Sequence, residues 1–569
     1  MDYKTVYANW TNDEYFDEET RNELLSIAND DQEIKERFHK NLDFGTGGLR
    51  GIIGAGTNRM NKYTVRKATQ GLANFILSSG GDSAQRGVAI AYDSRRFSKE
   101  FALSTALVLC GNGIKTYIFE DLRPTPELSF AVRHLNCVAG IVVTASHNPP
   151  EYNGYKVYWD DGGQVVPPMD AAIVDEVAAI RDYSAIKVMD HESAVAKGLL
   201  VTIGKEVDDA FMKEVMSQSL GGGTRDFVVV YTPLNGAGNT LVRRALRLAG
   251  FTVHVPKEQE EPDPDFTTVG YPNPESPAAF DLAMELLAEK KADIALATDP
   301  DCDRVGVCIR KNGQTIHFSG NVIGVLLVDF VLTAMAGRGR LPQNAAVIST
   351  IVSSDMTRAL CSAYGAAYYE VLTGFKYIGQ LMNEFEDSGR HATIMAFEES
   401  IGYQIGRFTR DKDAVTSSLL ICEMASYYKS RGMDLDDAIH ALYEKYGCYK
   451  ETTINLAMPG IDGLAKTKGL MSGLRQNPPL VVGDVPIIER RDYKIGQTIN
   501  SGGIFPTGLP TSDVLYYVLS DASWFCVRPS GTEPKVKVYM GVQAKSPPEA
   551  DAALKTLEKW VVDIVKVKD

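Results

Sequence analysis

VAIAYDSRRFSKEFALSTALVLCGNGIKTYIF, residues 88–119, decides the fold. VAIAY (88–92) is a short apolar run, and an amphipathic stretch of about three turns follows it. Ser98 is the expected N-cap of that helix and Gly113 sits where its C-cap belongs. IKTYIF (114–119) is a second apolar run. Strand, helix, strand with continuously apolar strands predicts a parallel sheet covered on both faces.

The same pattern recurs twice. FVVVYTP begins at residue 227, a helix-like GNTLVRRALRLAG follows, and FTVHVP begins at residue 251. AAVISTIV begins at residue 345, a helix-like SDMTRALCSAYG follows, and AYYEVL begins at residue 367. Gly250 and Gly365 match Gly113. After each unit another helical stretch leads to a further strand, and each of those strands ends in an unusual polar loop: TASHNPPEYNG (144–154), TDPDCDR (298–304) and FEESIGY (397–403). Ligands of open α/β sheets gather beyond strand carboxyl ends. The economical arrangement is three similar domains, each giving one loop to a shared cleft.

The tail from residue 459 mixes Gly, Pro and turn residues with one strand-like hairpin and a final helix-like DAALKTLEKWVVDIV, and it carries a fourth loop, RPSGTEPK (528–535). The fold class expected is α/β: three similar mixed α/β domains plus a smaller C-terminal α+β domain. The boundaries fall at 1–205, 206–319, 320–457 and 458–569.

A chain of 569 residues exceeds what one core organises, in line with about three to five domains. A net charge of −14 argues against nucleic acid and anionic membranes as partners, because the nonspecific attraction has the wrong sign. The N-terminus is polar and acidic, without the pattern of a secretory leader. The most apolar stretch, 322–336, carries Asp329 and reads as a buried helix. Eight cysteines without a CxxC pair point to neither zinc nor a disulfide framework. Cytosol is the expected location.

Each loop has a chemical reading and a plainer one. Asp299, Asp301 and Asp303 alternate, so their carboxylates can converge on one hard cation, with Mg²⁺ leading; the plainer reading is a solvated acidic turn. An EF-hand is excluded, since Arg304 and Arg310 stand where that motif needs Gly and Glu. Ser146 ends the apolar strand AGIVVTAS and is placed as a nucleophile or as an ordinary turn serine. It lacks the elbow of the α/β hydrolases. Neighbours in an extended segment point apart, which argues against a simple Ser146–His147 dyad. Arg528, Ser530, Gly531, Thr532 and Lys535 offer a guanidinium fork, hydroxyls and open backbone to a phosphate, or form a plain turn. Glu398 and Ser400 can hydrogen-bond adjacent sugar hydroxyls, with Glu399 expected to point elsewhere. Arg50 and Lys376 are single basic residues beside glycines.

Taken in order, GTGGLRG (45–51), TASHNP (144–149), DPDCDR (299–304), TGFKY (373–377), FEES (397–400) and RPSGTEPK (528–535) resemble the α-D-phosphohexomutase superfamily, and most of all its phosphoglucomutase and phosphopentomutase branch. The resemblance implies a four-domain, heart-shaped protein with a central cleft. It makes Ser146 the phosphorylated serine and a metal ligand beside Asp299, Asp301 and Asp303, with Mg²⁺ as cofactor and a sugar 1,6-bisphosphate as activator. Arg50, His147 and Lys376 would contact the reacting groups, His147 and Lys376 being the acid and base candidates. Thr373, Gly374, Arg304, Glu398 and Ser400 would bind the sugar phosphate. Arg528, Ser530, Gly531, Thr532 and Lys535 would grip the phosphate that is not transferred. Pro300 and Cys302 stand where Gly is frequent and should stiffen the metal loop.

The activity implied is interconversion of glucose 1-phosphate and glucose 6-phosphate through a phosphoserine and a bisphosphate, which reorients by half a turn between two in-line transfers. FEESIGY departs from the GEES and GEMSGH forms, which leaves a phosphopentomutase, or a glucose 1,6-bisphosphate synthase, as the alternatives. A metal-dependent phosphatase and a non-catalytic sugar-phosphate binder are more remote. Oligomeric state is not legible in the sequence.

Overall fold

The computed structural model describes residues 2–45, 47–224, 226–458, 463–529 and 535–565. The chain forms two compact units: Met1–Phe318 with Ile378–Gly389 and Gly402–Tyr427, and Ser319–Tyr377 with Arg390–Ile401 and Tyr428–Asp569.

The first unit holds two sheets. In one, the parallel strands Ala139–Val143, Val88–Tyr92 and Thr116–Phe119 lie side by side, with the strand that begins the repeat in the middle. In the other, Ile294–Thr298, Val228–Thr232 and Thr252–His254 take the same order. The second unit repeats it with Ala392–Glu398, Ala345–Thr350 and Ala367–Val371. The three apolar runs that begin the repeats are central because a neighbour on each side and helices on both faces leave them almost no water. In both sheets of the first unit, an antiparallel strand returns beside the third: Tyr152–Trp159 and Val305–Lys311.

The helix that follows each first strand ends as expected. Gly113, Gly250 and Gly365 take left-handed φ values of 74°, 90° and 70°, which a side chain would disfavour. Ser98 is not an N-cap. The helix is Ser98–Gly111, its cap is Phe97 without a side-chain bond, and the Ser98 hydroxyl donates instead to Asp93 Oδ1 at 2.7 Å. A buried carboxylate takes the donor because leaving it unsatisfied costs more than leaving a helix end to the backbone.

Ahead of the first sheet, helices Tyr3–Asn12, Glu18–Ser26 and Asp31–Phe38 close over an aromatic cluster of Trp10, Phe16, Phe38 and Tyr63. The apolar stretch 322–336 lies in helix Gly320–Gly337, buried along most of its length in the second unit.

The tail is richer in strands than its sequence indicates. Cys448–Ala457, Lys535–Ala544, Trp524–Pro529, Leu515–Leu519 and Val485–Asp492 run antiparallel, continued by the hairpin Gln497–Asn500 and Gly503–Pro506. Helix Pro547–Val565 lies against this sheet. Several of these strands are half-exposed and Gly/Pro-laced, so their alternation is weak.

Candidate active site

The Ser146 loop leaves a strand buried on both faces and turns sharply. Ser146 itself adopts φ 53° and is buried. That left-handed turn overturns the expectation that Ser146 and His147 point apart. Ser146 Oγ lies 3.2 Å from His147 Nδ1 and donates to Asp299 Oδ2 at 2.6 Å. The pair forms because the segment is not extended.

A left-handed, non-glycine residue is costly and needs support. Ser146 N–H donates to Thr144 Oγ1 at 2.8 Å, and Thr144 Oγ1 donates to Asp93 Oδ2 at 2.6 Å. Arg95, wholly inside, spreads its guanidinium over the loop carbonyls: Ser146 O at 2.5 Å, Pro149 O at 2.8 Å and Tyr152 O at 3.1 Å, with Asn148 O as a fourth. Its charge is balanced by Asp93 at 3.3 Å. Burial pushes the Asp93 carboxyl up and the Arg95 guanidinium down, the mark of a desolvated pair. Gly154 completes the loop's seat, since a Cβ there would stand 2.5 Å from Thr144 O. Arg50, on strand Gly48–Ile52, is exposed and donates to Asn148 Oδ1 at 3.2 Å.

The aspartate loop follows strand Ile294–Thr298 in the same unit. Asp299, Asp301 and Asp303 are all buried, and one oxygen of each lies within 4.8 Å of the others. Burial, then the charges of Asp301 and Asp303, push Asp299 well above the usual carboxylate range. Burial acts the same way on Asp301, but the ammonium of Lys156 overrides it and holds that carboxyl below the usual range. Lys156 Nζ donates to Asp301 Oδ2 at 2.8 Å and lies 3.6 Å from Asp303 Oδ2, while Lys412 Nζ sits 3.1 Å from Asp303. Thr125 grips Asp301 twice, through its N–H to the carbonyl and its hydroxyl to Oδ2, each at 2.9 Å.

Two oxygens, Asp301 Oδ1 and Asp303 Oδ1, are buried and accept no hydrogen bond among the described residues. Three converging carboxylates with unsatisfied oxygens, beside a serine oxygen, fit a hard divalent cation such as Mg²⁺. Cys302 takes φ 53° and is buried, which is why Gly also suits that position. Pro300 lies so close to Gly236 that a Cβ there would come within 2.5 Å of Pro300 Cα. Arg304 Nε is 3.7 Å from Asp303 Oδ1.

In the second unit, Glu398 ends strand Ala392–Glu398 and its Oε1 accepts the Gly374 N–H at 2.7 Å, which ties the FEES loop to the TGFKY loop. Thr373 precedes Gly374 in that loop. Lys376 is buried in the first turn of helix Phe375–Ser388, its Nζ 5.2 Å from the Tyr377 ring centre. Glu399 accepts from Thr350 Oγ1 at 3.1 Å, and burial, then Glu398, push its carboxyl up to about 7. The left-handed Ile401, φ 52°, turns the chain here and leaves Ser400 half-buried. Burial opposes the charge of Arg528, but Tyr539, Glu399 and Glu398 outweigh it and raise its pKa. Lys535 begins its strand opposite Ala457. Ser530, Gly531 and Thr532 lie outside the described residues.

The first unit therefore brings together Ser146, His147, Asp299, Asp301, Asp303 and Arg304, with Arg50 at the edge of the Ser146 loop. In the second, Glu398 holds the Gly374 N–H, and Arg528 lies within electrostatic reach of Glu399 and Glu398. Arg95, Thr125, Lys156 and Lys412, which brace the serine and aspartate loops, are residues that sequence reasoning misses. Only Lys156 carries a signal there, as the cation two residues beyond the glycine of YNGYK on a strand leaving the serine loop.

Comparison with known proteins covers most of the chain. Residues 41–184, 209–313 and 319–446 match models of the phosphoglucomutase/phosphomannomutase α/β/α domains I, II and III, and residues 481–555 match that family's C-terminal domain. A phosphoglucomutase of Staphylococcus aureus (strain MRSA252) is 36% identical over 92% of this chain and 93% of its own. Among solved structures, a putative phosphomannomutase from Thermus thermophilus superposes with a TM-score of 0.67 at 22% identity, covering 92% of this chain and 99% of that one. The pp63/parafusin of Paramecium gives 0.67 at 17% identity, covering 92% and 95%. These two structures bear on the fold alone.

Proposed function

The chain belongs to the phosphoglucomutase/phosphomannomutase family, and from that premise we propose that it interconverts glucose 1-phosphate and glucose 6-phosphate, with Ser146 carrying the phosphoryl group. It is an isomerase of the intramolecular phosphotransferase type. The observation that supports this reading most is Ser146 itself: a buried, left-handed serine whose Oγ sits 2.6 Å from Asp299 and 3.2 Å from a histidine nitrogen.

Phosphoserine at 146 gives its phosphoryl group to the free sugar hydroxyl, forming glucose 1,6-bisphosphate and a free serine hydroxyl. The bisphosphate turns, and Ser146 takes the other phosphoryl group, leaving the isomer. Each time Ser146 is phosphorylated its proton must leave. Asp299 Oδ2 and His147 Nδ1 are in reach, and we assign the proton to His147 because Asp299 serves the cation. Lys376 exchanges the proton of the sugar hydroxyl. Asp299, Asp301 and Asp303, with Ser146, would hold Mg²⁺, which when bound supplies positive charge against the transferring phosphoryl group. Lys156 and Lys412 fix the aspartates, and Arg50 and Arg304 add positive charge for the phosphoryl group.

Thr373, Gly374, Glu398 and Ser400 bind the sugar. Arg528, Ser530, Gly531, Thr532 and Lys535 hold the stationary phosphate, a bidentate task suited to arginine. A sugar 1,6-bisphosphate acts as activator by phosphorylating a free Ser146. All eight cysteines are unpaired and buried, which supports a reducing, cytoplasmic location.

The test is isomer formation from glucose 1-phosphate and from ribose 1-phosphate, with Mg²⁺ and a trace of bisphosphate. Rapid hexose turnover is expected. A faster pentose reaction would make the enzyme a phosphopentomutase, and inorganic phosphate as the main product would contradict the mutase reading.

A further inference from the structure

A cavity of about 950 Å³ opens in the first unit between the N-terminal helices, helix Lys62–Ser78 and the segment around residues 180–184. None of its lining residues belongs to the Ser146 or aspartate loops. One wall comes from residues 6–41, almost all of which precede the first stretch matched by the family models.

The wall combines three kinds of group. The first is cationic. Lys67 is partly buried, burial lowers its pKa, and its ammonium lies 5.8 Å from the Tyr183 ring centre with no carboxylate in ion-pair range among the described residues. Desolvating an ammonium without a counter-charge is costly, and a bound anion would remove that cost. Arg181 adds a second cation at the rim, likewise without an ion pair among the described residues. The two wall carboxylates are already engaged by backbone: Asp13 accepts the Tyr15 N–H and Asp182 the Ser184 N–H, each at 2.9 Å. In a chain of net charge −14, two cations without ion pairs among the described residues on one cavity wall are a local departure from the overall charge.

The second kind is aromatic. Tyr15 and Tyr183 stand 6.3 Å apart, both half-buried, with Trp10 edge-on to Tyr183 at 5.6 Å. The third is amide. Asn9, Asn12 and Asn41 line the cavity and are exposed, and their side chains hydrogen-bond nothing else among the described residues. Cation, flat rings and free amides are the groups that hold a phosphate, stack a planar base and read its polar edge.

We propose that this cavity is a binding site for a nucleoside monophosphate, with the phosphate on Lys67 and Arg181 and the base against the tyrosines within reach of the asparagines. The site is separate from the one that turns over sugar phosphates.

The experiment is calorimetric titration of the full chain with adenosine 5′-monophosphate while saturating glucose 1,6-bisphosphate occupies the sugar-phosphate site. Binding is expected to persist under these conditions, to weaken at least about tenfold in Lys67→Met and to change less than about threefold in Lys67→Arg. Inorganic phosphate and adenosine should each bind more weakly than the nucleotide, and Lys67→Met should turn over glucose 1-phosphate as the wild type does. No binding at millimolar nucleotide, equal binding by Lys67→Met, inorganic phosphate binding as tightly as the nucleotide, or displacement by the bisphosphate would each overturn the proposal. Should Lys67→Met fail to fold, acetylation of Lys67 in the wild type, read by mass spectrometry, decides: slowed labelling with nucleotide supports the site, and unchanged labelling overturns it.

Discussion

The serine loop and the aspartate loop are built on the same plan and finished in opposite ways. Each leaves the third strand of a repeat and passes through a left-handed residue, Ser146 at φ 53° and Cys302 at φ 53°. The serine loop is held by the protein alone: Arg95 takes four of its carbonyls, and Asp93 and Thr144 take its donors. The aspartate loop crowds three carboxylates, restrains them with Thr125, Lys156 and Lys412, and leaves two oxygens without a donor among the described residues. The serine proposed as nucleophile is preorganised by hydrogen bonds, whereas the proposed cation site crowds carboxylates whose repulsion a bound cation would relieve.

Variants at Ser146, Arg95 and Asp299 press on that difference, and one at Glu399 tests a crowded carboxylate outside both loops. Ser146→Ala should lower isomerisation by at least about 10⁴-fold, because on this account Ser146 carries the phosphoryl group, while leaving the melting temperature nearly unchanged. Residual turnover near wild type would detach the serine loop from the chemistry.

Arg95→Met should cost about 3–5 kcal/mol in denaturant melts, since it strands Asp93 as a buried, unpaired charge and frees four carbonyls. Adding Asp93→Asn should recover part of that loss, and a loss unaffected by the second change would break the clamp.

Asp299→Asn should do the reverse. Without metal it removes repulsion from Asp301 and Asp303, so stability should rise by about 1–2 kcal/mol. Mg²⁺ should raise the melting temperature of the wild type and not of the variant, and activity should fall with it. Destabilisation in metal-free buffer would show that the aspartates are not held in repulsion.

The smallest effect belongs to Glu399 in the second unit. Burial and Glu398 raise its pKa to about 7 from an ordinary value near 4.5. The folded state therefore holds a proton that the unfolded state releases, and stability should fall as pH rises from about 4.5 to 7. Glu399→Gln should flatten that part of the profile. An unchanged profile would mean that Glu399 keeps its ordinary pKa.

What the sequence can convey follows from where the physics is local. The strand–helix–strand repeats are legible because burial on both faces writes continuous apolar runs, and the glycines after each helix mark left-handed caps. The convergence of Asp299, Asp301 and Asp303 is legible because their alternation places it, whereas Ser146, alone readable as an ordinary turn serine, is singled out only by the resemblance of the ordered motifs. The Ser146–His147 contact runs against expectation because it depends on a single φ angle that residue order does not reveal. Glu399 is expected to point elsewhere than Glu398 and Ser400, but its partner Thr350, 49 residues away, leaves no local trace. Arg95 and Thr125 reach their targets only after folding, across 51 and 176 residues, and no local pattern records such a contact. The C-terminal sheet is hard to read because its half-exposed strands alternate weakly.

The central claim is that Ser146 carries the phosphoryl group from one sugar oxygen to another. The most direct test is to incubate the protein with Mg²⁺ and glucose 1,6-bisphosphate labelled in its phosphates, map the labelled peptide, and then add unlabelled glucose 1-phosphate. The account predicts label on Ser146 alone, passing into sugar phosphate at least as fast as steady-state turnover. Label on another residue, or its release as inorganic phosphate, would contradict it.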